Sequence, residues 1–399
     1  MARVLIAWEL GGGHGHIRLI ARVAEALVTA GHRVYVASAS LEHAQALLGS
    51  TGVTLLQAPL SRRPEAPLGP ILNFPAILSS CGFAEPLRLL ARTHAWHALL
   101  ELVKPDLVVS DYAPGALIAA KALGVDTFSI GNGFTIPPAV RPSPVYFGQR
   151  QFAAEVLAQA EAPLISSINA ALAAFSKVTV NSVSDLYPAR DCALLTWPQL
   201  DHHVQRPGAR YFAQEYAEVR SASPPWPASG NVKVFVYCHP HYRHLAPLMA
   251  GLKHSGASCI VVAPEIPEAI AATFSGPTIK VVSQLVNIQS MISTADIVVT
   301  NGHNTCAIAL EQATPTIVLP MHTEQAIVGQ RLASQNLGSV LAATPSQALT
   351  SGAIATEIEE LAANDSVRHS IDAASAHINA IKSGSARTTV SDEILNRLT

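Results

Sequence analysis

The chain has 399 residues, 49% of them apolar and 14% charged, with a formal net charge of -2. That composition excludes a disordered chain, and the basic residues form no cluster of the kind that nucleic-acid binders carry on one face. The length exceeds one ordinary core and predicts two domains of roughly 200 residues each.

Five cysteines (Cys81, Cys192, Cys238, Cys259, Cys306) are scattered without a CxxC pair, which fits free thiols in a reducing compartment. The opening MARVLIAWELGGGHGH runs from a short apolar stretch straight into glycines, with no cleavage-site pattern. It reads as a core strand and not as a signal peptide. No run of 18 uncharged apolar residues occurs, so no membrane span is expected and the expected location is cytoplasmic.

In chain order, residues 3–8 predict a buried strand. Ile17, Ile20, Ala21, Ala24, Leu27 and Val28 recur at helical spacing, with Gly31 as the stop. Strands follow at 33–37, 53–56 and 106–110, a helix at 115–123, a strand at 125–130 and a last strand of this half at 178–181. Two stretches break the rhythm: 57–90, with six prolines and little periodicity, and 132–148, with Pro137, Pro138, Pro142 and Pro144 among aromatic residues. Loops of this length inside a domain are uncommon unless functional.

The Pro- and Ser-rich stretch 197–230 holds the interdomain linker, set at 216–230. A second alternation then begins, with strands at 233–238, 258–263, 278–282, 297–300 and 316–319. Its helices are expected at 244–254, 305–313 and 324–336, and the tail from 353 onward reads as two or three more. Strand–helix alternation implies parallel strands with helices on both faces. The expected fold is α/β: two tandem doubly wound, Rossmann-like domains, 1–215 and 231–399, facing across a cleft. Ligands in such sheets bind beyond the carboxyl ends of the strands.

The loop GGGHGHI joins the first strand to the first helix, and its glycines permit a tight turn and close approach of another molecule. Its spacing is not the dinucleotide fingerprint, since no third glycine falls in the helix. Gly13, His14 and His16 sit where a ligand would lie, although a loop histidine can also simply cap a helix or face water. Asp111, ending DLVVS, belongs on the same sheet edge as His16. A histidine oriented by a carboxylate is a general-base arrangement, and a helix N-cap is the plain alternative for Asp111.

In the second half, TNGHNTCAIALEQATP follows a buried strand and opens a helix. Its free N–H groups and positive dipole end suit a diphosphate. PMHTEQ follows at the next strand end, where Glu324 and Gln325 open another helix and could grip vicinal sugar hydroxyls.

Together these residues resemble the UDP-glycosyltransferase family of the GT-B fold over nearly the whole chain. TNGHNT, ATP and PMHTEQ are similar to the plant-type box HCGWNS…GVP…P…EQ, and more so to bacterial members reading HAGHGT…P…H…EQ. Those bacterial members also open with AWELG and a glycine–histidine loop. The resemblance implies that His16 is the catalytic base and Asp111 its orienting carboxylate. It implies that Gly302, Asn304 and Thr305 form the diphosphate turn and that Glu324 and Gln325 contact the donor sugar. It also implies that the last helix packs back on the first domain.

Three departures stand out. Thr300 replaces the family histidine that contacts the diphosphate, with His303 or His322 as candidates to supply what is missing. Ile308 replaces the ribose-binding glutamate. No tryptophan lies near KVVSQ around Val282 to stack the base, so a UDP and a dTDP sugar both stay open as donor.

HPHYRH at 239–244 is suggestive of a metal site through His239, His241 and His244. No Cys or acidic cluster completes a ligand set there, so His239 and Arg243 are expected to meet phosphate or acceptor instead. His202–His203 is expected to be a solvated linker pair, and Cys306 a small buried residue. The chain lacks Asp-x-Asp, which agrees with metal-independent transfer, so no metal and no cofactor besides the nucleotide-sugar co-substrate is expected. Phe74, Phe83, Phe134, Tyr146 and Phe147 suggest a small apolar or aromatic acceptor, although core packing explains aromatic residues equally well.

The expected reaction is inverting transfer of a sugar to an acceptor hydroxyl. A nucleotide-sugar epimerase and a non-catalytic nucleotide-sugar-binding protein of the same fold are the alternatives.

Overall fold

The structure is a computed structural model that describes residues 1–12, 14–60, 71–214, 223–342, 348–384 and 389–399, with His14 described by its backbone alone. Gly13, the His14 side chain, 61–70 and the linker portion 216–222 lie outside the described residues. The chain divides into two compact units. The first is Met1–Thr196 with His203–Ala217 and Ala386–Thr399; the second is Trp197–His202 with Glu218–Ser385.

The first unit runs β1 (Arg3–Trp8), α1 (His14–Thr29), β2 (Arg33–Ser38), α2 (Leu41–Leu48), β3 (Thr54–Gln57), α3 (Phe74–Ser80) and α4 (Pro86–Val103). It continues with β4 (Leu107–Asp111), α5 (Pro114–Leu123), β5 (Asp126–Gly131), α6 (Ala154–Ala173) and β6 (Cys192–Leu194). All six strands are parallel in the order β3-β2-β1-β4-β5-β6. Alternate β1 residues face opposite layers, as period-two side chains must. Val4, Ile6 and Trp8 pack with Ile17, Ile20, Val23 and Leu27 of α1. Leu5 and Ala7 pack with Trp96 and Leu100 of α4 and Ala116 and Ala120 of α5.

The second unit runs β7 (Lys233–Tyr237), α7 (Leu245–His254), β8 (Ser258–Val262), α8 (Glu268–Phe274), β9 (Ile279–Val282), α9 (Ile288–Ile292) and β10 (Ile297–Thr300). It continues with α10 (His303–Glu311), β11 (Thr316–Val318), α11 (Thr323–Ser334), β12 (Gly338–Val340), α12 (Ser351–Ala362) and α13 (Asp365–Gly384). Its parallel sheet is ordered β12-β11-β10-β7-β8-β9, the same winding as the first. The chain then returns to the first unit with α14 (Val390–Asn396), whose buried Val390 and Ile394 join the α1 core.

In each sheet the strand order reverses between the first and fourth strands: β1 and β4, then β7 and β10. Trp8 pairs with Asp111, and Tyr237 with Thr300, so those residues end the strands at the two reversal points. Crevices beyond the carboxyl ends at such points are where open α/β sheets bind ligands.

Three sequence expectations change. Residues 178–181 form no strand: both Val180 backbone groups are taken up by the Asn169 side chain, at 2.8 and 2.9 Å, so an amide replaces a neighbouring strand. The sixth strand is β6, which pairs with β5. The segment 57–90 contains α3 and the start of α4. The helical period of α4 is blurred because Leu87 and Leu102 are apolar yet exposed.

Finally, Trp197–His202 is no linker. Arg331 donates to the Pro198 carbonyl at 3.1 Å, Gln335 to that of Gln199 at 2.8 Å, and Trp197 Nε1 to Glu311 at 3.0 Å. The helix α6 is the one described helix long and apolar enough to cross a membrane. Here it carries Glu161 and Pro163 and packs on α3, α4 and α5.

Candidate active site

At the first reversal point, the β1 loop leads into α1 and brings His16 against the end of β4. The His16 Nδ1 lies 2.9 and 3.0 Å from the two Asp111 carboxylate oxygens. A carboxylate only accepts, so Nδ1 carries the proton and Nε2 is the basic nitrogen of the ring. The Asp111 side chain is 1% exposed and that of His16 23%. The imidazole stacks on Trp8 at 5.4 Å and faces Tyr112 at 6.3 Å.

Asp111 does not cap α5. The Ala113 N–H donates to Ser110 Oγ at 3.2 Å instead, which leaves both carboxylate oxygens on the imidazole.

Gly11 has φ +83°, and a Cβ there would stand 2.9 Å from His16 Nε2 and 3.2 Å from the Tyr112 ring. Glycine is therefore required twice, for its backbone and for the space beside Nε2. Tyr112 is itself left-handed at φ 53°, an unusual conformation for a bulky residue and one that gathers at functional sites. Its carbonyl accepts from the Leu10 N–H at 3.0 Å, which closes the loop around His16.

Sequence reading passed over Glu9. Its buried carboxylate accepts from the Gly115 N–H at 2.7 Å and lies 3.3 Å from Arg92. Burial pushes this carboxyl up to about 7, against the pull of Arg92, the Gly115 N–H and the Trp96 indole. Of the aromatic candidates, Phe74, Phe83 and Tyr146 are fully buried, whereas Phe134 and Phe147 keep partial exposure. Phe83 lies beneath the Arg92 guanidinium at 4.2 Å. Phe74 reaches the Tyr112 ring at 6.3 Å, and Phe134 stacks on Tyr146 at 4.9 Å.

At the second reversal point, Asn301 ties the strand ends together. Its Oδ1 accepts from the His239 N–H at 2.8 Å and its Nδ2 donates to the Leu319 carbonyl at 2.6 Å. Thr300 is fully buried, and its hydroxyl accepts from the Gly302 N–H at 3.1 Å. Gly302 is the N-cap of α10, Asn304 is exposed on the first turn, and Thr305 is buried.

His303, at the start of α10, is buried. Its side chain is 4% exposed, and burial lowers its pKa to about 4, so it is neutral near pH 7. His322 is the exposed one, 59%, at the N-cap of α11.

His202 corrects the expectation of a solvated pair. It is fully buried, stacks on His303 at 5.7 Å, and presents Nε2 3.6 Å from Glu324 Oε1. His203 is also buried, 5.1 Å from the Tyr146 ring. Burial alone would raise the Glu324 carboxyl, but contact with His202 and the surrounding imidazoles outweighs it and holds the group ionised.

Gln325 accepts from the Met321 N–H at 2.7 Å, which fixes the turn ahead of α11. His239 and Arg243 are exposed on the loop after β7, where the Arg243 Nε–H donates to His244 at 2.9 Å. Val282 ends β9, half-buried, and its carbonyl accepts from the Ala263 N–H. Cys306 is fully buried, and burial pushes its thiol far above the ordinary value, so it is inert packing as expected.

No known family profile matches the chain, and no curated protein does. Solved structures do match across its length. The calicheamicin glycosyltransferase CalG4 superposes with TM-score 0.68 at 17% identity, covering 100% of this chain and 98% of its own. The glycosyltransferase VinC, solved with dTDP, gives 0.67 at 17% identity, covering 99% and 98%. The spinosyn rhamnosyltransferase SpnG, solved with spinosyn aglycone, gives 0.67 at 14% identity and full coverage of both chains. At these identities the likeness establishes the GT-B fold, two Rossmann-like domains in tandem.

Proposed function

We propose that the chain is an inverting glycosyltransferase that moves a sugar from a nucleoside-diphosphate donor to a hydroxyl of a small apolar acceptor. The observation that carries this reading is the His16–Asp111 pair: a buried carboxylate on Nδ1, with Nε2 beside Gly11, where any Cβ would crowd it. A hydroxyl needs a base only if it is to attack something, and the second unit offers a helix start suited to a diphosphate.

In the proposed step, the acceptor oxygen forms a bond to the anomeric carbon while the bond from that carbon to the diphosphate oxygen breaks. The acceptor proton passes to His16 Nε2, and Asp111 stabilises the imidazolium. A single displacement inverts the anomeric centre. The N–H groups at the start of α10 receive the departing diphosphate, which needs no metal bridge in this scheme. Glu324 and Gln325 contact the donor sugar, and His322 is the exposed imidazole at the N-cap of α11 beside them. Phe134, Phe147 and Tyr112 are the best-placed aromatic contacts for an acceptor.

VinC was solved with dTDP and SpnG with spinosyn aglycone, which supports a nucleoside-diphosphate sugar as donor and a small-molecule acceptor here as well. The reading requires a donor held by the second unit to reach an acceptor at His16.

The test is a donor and acceptor panel with wild-type and His16→Ala proteins. Loss of the base should lower kcat by about 10²–10⁴-fold with donor binding retained. Near-normal turnover in that variant sinks the assignment. Isomerised sugar from donor alone, with no acceptor present, would instead favour epimerase chemistry.

A further inference from the structure

His202, His303 and Glu324 come from three separate segments of the second unit: the docked stretch Trp197–His202, the first residue of α10 and the first turn of α11. Their nearest donor atoms all lie within 4.8 Å of one another. Glu324 Oε1 is 3.6 Å from His202 Nε2 and 3.7 Å from His303 Nδ1. Both spacings exceed a direct hydrogen bond. Ligand atoms about 2.1 Å from a tetrahedral ion stand about 3.4 Å apart, so these spacings match two edges of a coordination tetrahedron within a few tenths of an ångström.

The imidazoles lie nearly parallel, 18° between planes, and are buried. Both ring nitrogens of His303 are buried and make no hydrogen bond among the described residues. A buried polar group in that state needs an explanation, and a water or an ion is the usual one.

We propose that His202, His303 and Glu324 form a binding site for one divalent transition-metal ion, with zinc the best chemical match. Two imidazoles and one carboxylate are borderline donors suited to zinc, and three protein ligands leave one tetrahedral position for a water or a substrate oxygen. Glu324 Oε1 faces both rings while Oε2 lies toward His322 at 3.9 Å, so ligation by Oε1 leaves Oε2 to meet a donor sugar. The ion would fasten Trp197–His202 to the starts of α10 and α11. With the glutamate ligand it would set a net charge of +1 beneath the loop where Thr300 supplies none. This ion is held by the protein and is distinct from one bridging a diphosphate. The proposal does not depend on the transferase reading, because metal binding is measured without substrate.

The experiment is metal analysis of protein purified without chelator, followed by titration of the stripped protein with Co²⁺ and displacement by Zn²⁺. Wild type should retain about one equivalent of metal and develop the intense visible bands of low-coordinate cobalt, which Zn²⁺ abolishes. His202→Gln and His303→Gln should each lose the bands, and His16→Ala should keep them. The wild-type titration decides the matter even if a variant folds poorly. Absence of cobalt bands in wild type, or equal bands in both glutamine variants with normal circular dichroism, would overturn the proposal.

Discussion

Asp111 and Thr300 occupy the same place in two sheets of the same winding. Each is the last residue of the fourth strand and pairs with the last residue of the first, Trp8 or Tyr237. In the first unit that place holds a carboxylate turned onto the histidine in the first turn of α1. In the second it holds a hydroxyl that closes its own loop by accepting the Gly302 N–H. The backbone thus provides two equivalent strand ends, and the side chain at each gives it different chemistry. The first holds a carboxylate-oriented imidazole, on which the proposed proton transfer rests. The second has its ionised group, Glu324, one strand further along, amid imidazoles.

The sharpest way to break this contrast is Asp111→Asn. An amide in place of the carboxylate can accept from Nδ1 or, flipped, donate to it and hold the other tautomer. We expect kcat to fall by about 10²–10⁴-fold, with donor KM little changed. A change confined to donor KM would show that the first crevice does not house the chemistry.

Next in size is the pH response of Glu9. Its folded-state pKa, about 7, lies above the unfolded value near 4.5, so the native state holds the proton more tightly. Stability should therefore be greatest below the unfolded value and fall as pH rises from about 4.5 to 7, by at most about 3 kcal/mol. Glu9→Gln should remove that slope in urea melts between pH 4 and 8. A wild type that gains stability over the same range relative to the variant would show Glu9 to be ionised throughout.

On the other side of the comparison, Glu324→Gln should cost roughly 1.5–3 kcal/mol of donor recognition, the worth of a hydrogen bond to a charged group. The loss should appear in kcat/KM for donor while acceptor KM stays put.

The smallest effect concerns Gly11→Ala. Forcing a Cβ into a left-handed position costs about 1–2 kcal/mol, readable as a lowered Tm. Because that Cβ would also crowd His16 Nε2, turnover should drop more than stability alone accounts for.

Much of the fold was legible because buried parallel strands write themselves as continuous apolar runs. Residues 3–8 and 297–300 were found to the residue. The His16–Asp111 contact was legible because topology alone puts both on one sheet edge. What escaped shares a different cause. Val180 has strand-like neighbours but gives its backbone groups to an asparagine, which no local pattern reveals. Trp197–His202 looks like a polar linker, yet its carbonyls are claimed by Arg331 and Gln335, more than 130 residues away. His202 was misjudged for the same reason. Tyr112 carries no signal in its sequence neighbours that it must be left-handed.

The return of α14 to the α1 core has a practical consequence for anyone dissecting this chain. The polypeptide alternates between its two halves, so neither half corresponds to a contiguous stretch that could be cloned by a single cut. Expression of the first 215 residues would leave the floor that Val390 and Ile394 cover open to solvent. A separately supplied peptide spanning 389–399, or a permuted gene that places it ahead of Met1, is the natural way to make that half on its own.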